Sequence, residues 1–182
     1  MIIGITGPTG SGKDTAASFI EKEFNFQHVS GGDILREFLT QIGFEPKKEA
    51  VGDLGTLLRN NYGADAILGL VLARAKKGNV VNSGFRSPEE ARLIKKAGGY
   101  IIYVDAPETT RYARVLERSR EGESMDAILA IEKKESQSDN KLAESLVDVY
   151  AIADVIVAND SSVDNFYAKI KDVVKSLMDA DS

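Results

Sequence analysis

Residues 1–15, MIIGITGPTGSGKDT, decide the fold of this chain. A short apolar run, Ile2–Thr6, is followed by a glycine-rich segment at residues 7–13 and a helix-forming run at residues 14–24. Glycines let consecutive backbone N–H groups turn inward around an anion, and the N-terminus of the following helix adds unpaired donors and the positive end of its dipole. The stretch therefore predicts a strand, a phosphate-binding loop and a helix.

The loop has the pattern G-x-x-x-x-G-K, with one departure after the lysine. Lys13 is expected to reach the outer phosphates of a nucleoside triphosphate, ATP being the first expectation. The hydroxyl residue that usually follows the lysine is replaced by Asp14, and Thr15 comes one place later; these two are the candidate Mg²⁺ ligands. A flexible glycine loop without a ligand is the alternative interpretation. The candidate nucleotide-binding residues are Gly7, Pro8, Thr9, Gly10, Ser11, Gly12, Lys13, Asp14 and Thr15.

Length and composition limit the possible classes of protein. The 182 residues suit one domain, and 43% hydrophobic with 28% charged residues is ordinary for a globular protein. The lack of cysteine excludes disulfides and thiolate metal sites. A net charge of −5 disfavours a nucleic-acid partner. Without a long apolar stretch or a signal-peptide pattern, we expect no membrane partner and a cytoplasmic location. Monomer and homodimer both remain open.

Helical and short apolar stretches alternate along the chain, which predicts an α/β fold with a largely parallel sheet. Because the strands are rich in bulky residues without strict alternation, both faces of the sheet should be covered. Between the second and third strands the chain makes a helical excursion at about residues 31–77. Such an excursion at the carboxyl edge of a sheet suits a second substrate, or else a purely structural helical layer. The predicted strands are residues 2–6, 26–30, 79–83, 100–105 and 154–158.

Several motifs in this order resemble those of P-loop nucleoside monophosphate kinases. GSGKDT at residues 10–15, VSGGDILRE at 29–37 and NSGFRSPEEA at 82–91 are similar to motifs of the adenylate-kinase-related and deoxynucleoside monophosphate kinases. ADVIVANDSSVDN at 153–165 resembles the closing strand and purine-side loop of dephospho-coenzyme A kinases. The resemblance implies a single three-layer P-loop NTPase domain over residues 1–182, with a five-stranded parallel sheet in the order 2-3-1-4-5.

The resemblance also implies an activity. It indicates ATP-dependent phosphoryl transfer, supported by Mg²⁺, to a small phosphorylated acceptor, with a nucleoside or deoxynucleoside monophosphate as the first expectation. Arg36 and Arg86 match arginines that bind the acceptor phosphate, and Ser30 lies in the same substrate-binding segment. Arg59, on the excursion, is a further candidate. Guanidinium groups bind phosphate oxygens bidentately, whereas surface ion pairs are the alternative role for these arginines.

A lid and a purine-side loop complete the implied site. Residues 118–140 match a short lid, from which Arg118 and Arg120 would close over the transferring phosphoryl group. Both would act as arginine fingers supplied in cis. Exposed helical arginines are the alternative interpretation. Asn159 falls in the segment that matches the purine-side loop and is a candidate nucleotide-binding residue.

Two features leave the reaction open. Asp33 is a candidate catalytic base for an alcohol acceptor, as in dephospho-coenzyme A kinases, or else the N-cap of a helix starting at Ile34. The third strand ends in Asn82 and Ser83, where an acidic residue often holds magnesium, so metal affinity should be low unless another carboxylate serves. The second feature motivates a third candidate function, a nucleotide-binding regulatory protein with little turnover. His28 is expected to be packed rather than catalytic.

Overall fold

The structure is a computed structural model that describes residues 1–74, 78–85, 87–118 and 142–181, without the side chains of Lys48, Arg118 and residues 142–145. The elements are β1 (Ile2–Thr6), α1 (Lys13–Phe24), β2 (Gln27–Ser30), α2 (Gly31–Gln41), α3 (Lys48–Tyr62), α4 (Ala66–Arg74), β3 (Val80–Ser83), α5 (Pro88–Lys96), β4 (Tyr100–Asp105), α6 (Glu108–Arg118), α7 (Leu142–Ile152), β5 (Val155–Ala158) and α8 (Val163–Ala180).

The five strands form one sheet in the order β2-β3-β1-β4-β5, and every pair in it is parallel. β1 lies at the centre, with Ile3 opposite Val81 of β3 on one side and Tyr100 of β4 on the other. The predicted fold class and strand order are confirmed. The observed strand bounds differ from the predicted ones by at most one residue.

Helices cover both faces of the sheet, which explains the continuous apolar strands. On one face, α1 and α8 pack against the sheet through buried residues such as Ile20 and Phe166. On the other face, α4, α5 and α7 pack through residues such as Leu68, Ile94 and Val149. The sheet and its two helical layers make up the three-layer arrangement.

Local sequence signals set several helix starts. Ser87 and Glu90 form a capping box at α5, with Pro88 at the first helical position, as the sequence predicts. The Ser162 hydroxyl accepts a hydrogen bond from the Asn165 N–H at the start of α8. At α2, the N-cap role predicted for Asp33, as the alternative to a catalytic base, is wrong. The helix begins at Gly31, so Asp33 lies inside the first turn instead of capping it.

The excursion between β2 and β3 consists of α2, α3 and α4, which pack on one another, and α2 and α4 also contact β2. Because all strands are parallel and the excursion leaves from the end of β2, these helices lie toward the carboxyl edge of the sheet. Arg86, Arg120 and residues 119–140 of the expected lid lie outside the described residues. None of the described helices has the length and apolar character that a membrane crossing requires.

Candidate active site

The turn between β1 and α1 has the backbone shape of an anion cradle. Gly7, Gly10 and Gly12 all have positive φ, at 147°, 79° and 101°. The Ser11 N–H donates to the Pro8 carbonyl at 3.1 Å, which closes the turn. α1 starts at Lys13, immediately after the turn, so the first N–H groups of the helix lie beside it. This arrangement suits phosphate binding.

Close packing around the turn admits only glycine at key positions. A Cβ at Gly10 would lie 2.6 Å from the Arg111 carbonyl oxygen, and one at Gly12 would lie 2.4 Å from Asn159 Nδ2. Real Cβ atoms do not approach other atoms this closely. The glycines therefore serve both the turn and its contacts with α6 and with the segment after β5.

Two arginines of α6 hold the turn from outside. Arg111 Nη1 donates to the Thr9 carbonyl at 3.2 Å, and Arg114 Nη1 lies 3.4 Å and 3.5 Å from the carbonyls of Gly10 and Ser11. These hydrogen bonds pair carbonyl oxygens of the turn with guanidinium groups, so the partial negative charge of these oxygens opposes a bound anion less strongly. The resemblance implies a closing role for Arg118 and Arg120 and does not indicate that Arg111 and Arg114 would contact the turn. Their three-residue spacing, which places them on one helix face, was the available signal.

Asn159 lies against the phosphate-binding turn. It is 6% exposed, its Nδ2 donates to the Ser11 carbonyl at 2.8 Å, and its backbone N–H donates to the Asp105 carbonyl at 2.7 Å. Arg114 Nη2 donates to Asn159 Oδ1 at 3.2 Å. Asn159 therefore links the segment after β5 to the turn after β1. Its predicted contact with the nucleotide stays a prediction.

A cavity of about 340 Å³ lies among the excursion helices and the end of β3. Ser83, the last residue of β3, is paired with Ile5 of β1, so the cavity and the phosphate-binding turn lie at the ends of neighbouring strands. Its walls are largely apolar, with a few polar groups among them. The lining residues are Gly31, Gly32, Leu35, Val51, Gly52, Gly55, Thr56, Arg59, Ile67, Leu68, Val71, Asn82, Ser83, Gly84, Phe85 and Glu90.

The structure separates the candidate acceptor arginines. Arg59 lines the cavity, and its Nε is buried without a hydrogen-bond partner among the described residues. Arg36 Nη1 instead donates to Asp33 Oδ1 at 2.7 Å, in an ion pair whose side chains are 52% and 70% exposed. Ser30 occupies the N-cap position of α2 beside them. Of the described candidates, the structure thus brings Arg59 to the cavity and pairs Arg36 with Asp33.

The end of β3 carries two further polar contacts. His28 Nε2 and Ser83 Oγ are 3.0 Å apart, so the one histidine of the chain is partly buried and hydrogen-bonded to a neighbouring strand. Asn82 Nδ2 donates to the Val29 carbonyl at 2.8 Å. Asn82 and Ser83 are therefore both hydrogen-bonded to β2. They lie at the end of β3, where an acidic residue that holds magnesium is often found.

No group of three or more His, Cys, Asp or Glu side chains in the described parts of the chain could hold a metal ion. Mg²⁺ in phosphate sites takes most of its ligands from phosphate and water, with one or two protein oxygens. The exposed Asp14 and half-buried Thr15, both in the first turn of α1, fit that small contribution.

The sheet order and the glycine-rich turn define a P-loop fold of the kinase type. The profile of the AAA domain family matches residues 6–132. A UPF0200 protein of Aeropyrum pernix is 32% identical over 91% of this chain and 87% of its own length, and one of Sulfurisphaera tokodaii is 32% identical over 97% of both chains. The chain therefore belongs to the AAA domain family and to the UPF0200 family.

Solved structures agree on the fold. The shikimate kinase of Bacteroides thetaiotaomicron superposes with a TM-score of 0.62 over 98% of each chain, at 18% identity. At this level of identity the likeness shows a shared fold and no more.

Proposed function

We propose that this protein is an ATP-dependent kinase that transfers the γ-phosphoryl group to a small phosphorylated acceptor, a nucleoside or deoxynucleoside monophosphate. The reaction needs positioning and charge neutralisation more than covalent help from the protein. It consumes ATP, which suits the cytoplasm.

One observation carries the proposal: an anion cradle and a separate cavity lie at the ends of two paired strands, β1 and β3. A kinase must hold two polar ligands close together, and parallel sheets bind ligands at this edge. Arg59 brings a cation to the cavity.

In the proposed reaction, the N–H groups of the turn and Lys13 would bind the β- and γ-phosphates of ATP. Mg²⁺, when bound, would neutralise charge on these phosphates, with Thr15 and Asp14 as candidate protein ligands. An anionic oxygen of the acceptor phosphate would attack the γ-phosphorus, so no general base is required. Arg59, Arg36 and Arg86 are the candidate acceptor-phosphate ligands, and Arg118 and Arg120 the candidates for closing over the transferring group.

The test is a coupled assay of ADP release with ATP, Mg²⁺ and a panel of nucleoside and deoxynucleoside monophosphates. The proposal expects ADP formation that depends on one or a few members of the panel. Failure of every monophosphate to raise ADP release above the ATP-only rate would contradict it. Tight ATP binding without any turnover would favour a regulatory protein instead.

Gly55 in α3 offers a variant that tests whether the acceptor binds in the cavity. A Cβ at Gly55 would lie 3.5 Å from both Leu35 Cδ1 and Ile67 Cδ1 and 3.2 Å from Arg59 Nη1, all on cavity-lining residues. We expect Gly55→Ala to raise the acceptor KM about tenfold, because one extra methyl group in a binding cavity costs about that much. The KM for ATP should stay unchanged.

Gly69→Ala is the matched control variant. Gly69 is an exposed glycine within α4, and a Cβ there would meet nothing within 4 Å. Both substitutions raise helix propensity, so neither should lower the melting temperature through the helix itself. Equal acceptor KM values for the two variants would show that the cavity does not bind the acceptor.

An alcohol acceptor is the second candidate, for which the 70% exposed Asp33 carboxylate, ion-paired with Arg36, is the candidate base. Asp33→Asn separates the two candidates. Its ion pair with Arg36 is solvent-exposed, so the substitution should cost less than about 1 kcal/mol of stability. Under the monophosphate proposal, kcat should change less than about threefold. A kcat loss of about 100-fold or more with normal ATP affinity would indicate general-base catalysis on a hydroxyl.

A further inference from the structure

Two buried polar atoms without hydrogen-bond partners among the described residues belong to side chains that line the same cavity. They are Arg59 Nε, a donor, and Asn82 Oδ1, an acceptor. Buried polar atoms in native proteins are nearly always paired, so unpaired ones at a cavity wall call for a ligand or water. A donor and an acceptor together call for a ligand that presents one group of each kind.

Asn82 is the more informative of the two residues. It is 2% exposed on β3, and its Nδ2 donates to the Val29 carbonyl at 2.8 Å. A carbonyl oxygen accepts hydrogen bonds and cannot donate them, so this contact fixes the orientation of the side-chain amide. The atom left over is therefore Oδ1, which can only accept. Its partner must carry an N–H or O–H group.

The rest of the cavity restricts what carries that group. Five bulky apolar side chains form much of the wall: Leu35, Ile67, Leu68, Val71 and Phe85. A ligand with many hydroxyl groups would leave most of them unpaired against this wall, which is costly. A largely apolar ring with one donor and a nearby acceptor fits better.

The two charged residues of the described lining have opposite signs. Arg59 is cationic, and Glu90 is a carboxylate that is 2% exposed. Glu90 is engaged in the capping box of α5, where its Oε2 accepts from the Ser87 N–H at 3.1 Å. The apolar side chains that form much of the wall favour the uncharged end of a phosphorylated ligand as the part that enters.

We propose that Asn82 determines acceptor specificity, its Oδ1 accepting a hydrogen bond from the amino group of a nucleobase, so that the acceptor is a monophosphate with an amino-substituted base. This inference rests on the proposed kinase function. Arg59 Nε then donates to a ring nitrogen or carbonyl of the same base, which leaves Arg36 and Arg86 as the candidate ligands of the acceptor phosphate. Adenine and cytosine both present an amino donor with ring acceptors nearby.

The test compares ligands that differ only in the amino group. Adenosine monophosphate is titrated against purine riboside monophosphate, and cytidine monophosphate against zebularine monophosphate, by calorimetry on the full chain. In at least one pair the amino compound should bind about tenfold more tightly or better, because its absence leaves the buried Oδ1 unpaired. Equal affinities within both pairs would overturn the inference.

Variants at Asn82 assign the preference to this residue. Asn82→Leu has a similar size and no acceptor, and it should reduce the affinity ratio of the pair to within about twofold. Asn82→Asp in its protonated form keeps the acceptor oxygen and has an O–H in place of the N–H that donates to the Val29 carbonyl, so it should keep the preference at mildly acidic pH. Because each ratio is measured within one variant, a general loss of stability does not imitate the effect. Should Asn82→Leu fail to fold, the ratios of the wild type and of Asn82→Asp still decide.

Asn61→Leu is the matched control. Asn61 Nδ2 donates to the Leu57 carbonyl at 2.8 Å, the same kind of contact as that of Asn82, on an exposed part of α3. The affinity ratio of Asn61→Leu should equal that of the wild type. An unchanged ratio in Asn82→Leu would overturn the inference while leaving the kinase proposal intact. Failure of every monophosphate to bind would instead overturn both.

Discussion

Gly10 shows how one backbone position connects the phosphate-binding turn to a helix 101 residues further along the chain. Its φ is 79°, and a Cβ there would lie 2.6 Å from the Arg111 carbonyl oxygen. Two separate effects therefore oppose any side chain at this position. One is the left-handed backbone conformation, and the other is the contact with the α6 backbone.

Gly10→Ala and Gly43→Ala separate these two effects. Gly43 has a similar φ of 82°, but a Cβ there would meet nothing within 4 Å. We expect Gly43→Ala to cost about 1 kcal/mol of unfolding free energy, from backbone strain alone. Gly10→Ala should cost about 2 kcal/mol more, because the added methyl overpacks the contact, and it should abolish ATP binding. Urea unfolding measures the loss of stability in each variant, and ATP titration measures binding. Equal losses of unfolding free energy in the two variants would contradict the proposed effect of the Arg111 contact.

The sequence does not determine which of the candidate arginines lines the cavity. Arg36 and Arg59 both lie on the predicted excursion, and both carry the same chemistry. The structure pairs Arg36 with Asp33 three residues earlier on the same helix, and it directs Arg59 to the cavity. That outcome depends on how α2 and α3 are rotated about their axes, which no local pattern in the sequence specifies.

At the scale of elements, α6 acts as an external support for the phosphate-binding turn. Arg111 and Arg114 contact the turn at the carbonyls of Thr9, Gly10 and Ser11. These contacts orient backbone groups rather than reaching an anion directly. Loss of one arginine should therefore weaken nucleotide binding without removing the cradle.

Arg114→Leu tests this support, with Arg92→Leu as the control. Arg114 contacts lie between 3.2 and 3.5 Å, so each is weak, but together we expect their loss to raise the Kd for ATP about five- to tenfold. Arg92 lies on the surface of α5, 67% exposed and 3.6 Å from Glu89. Its removal should leave the Kd unchanged. Fluorescence titration with a labelled ATP analogue measures both, and equal Kd values would refute the support.

The helix starts show which element boundaries local chemistry determines. The capping box of α5 was predictable because its two bonding partners, Ser87 and Glu90, lie within four residues of sequence, with Pro88 at the first helical position between them. The start of α2 at Gly31 was not predictable. Glycine is a poor helix former, so the helix was expected to start at Ile34. A Cβ at Gly31 would lie 2.6 Å from Ile67 Cγ2, so a tertiary contact with α4 requires glycine inside this helix.

For the full chain, the alternation of helices and strands predicts a parallel α/β fold but leaves the strand order open. The order 2-3-1-4-5 was predictable only because the motifs resemble those of P-loop nucleoside monophosphate kinases.

The layer between β4 and α7 contains a titratable side chain. Tyr103 is 8% exposed and packs edge-on against Tyr150, with ring centroids 5.0 Å apart. Burial raises the pKa of the Tyr103 hydroxyl above its ordinary value of 10.0, and the nearby Asp105 carboxylate adds to this.

The pKa shift makes the stability of the whole fold depend on alkaline pH. Since the folded state holds the Tyr103 proton more tightly, this stabilisation is complete below pH 10, the ordinary value, and is lost as pH rises toward the folded pKa. The urea midpoint of the wild type should therefore fall more steeply between pH 8 and pH 11 than that of Tyr103→Phe. Tyr62→Phe, at a residue that is 76% exposed, should behave as the wild type. Parallel curves for all three proteins would refute the assignment.

The hydrogen bond from Asn159 to Ser11 joins positions 148 residues apart. During synthesis the turn that holds phosphate is made long before the amide that supports it. A growing chain that has not yet reached β5 lacks that support, so tight nucleotide binding should begin only once Asn159 has been made and has docked on the turn.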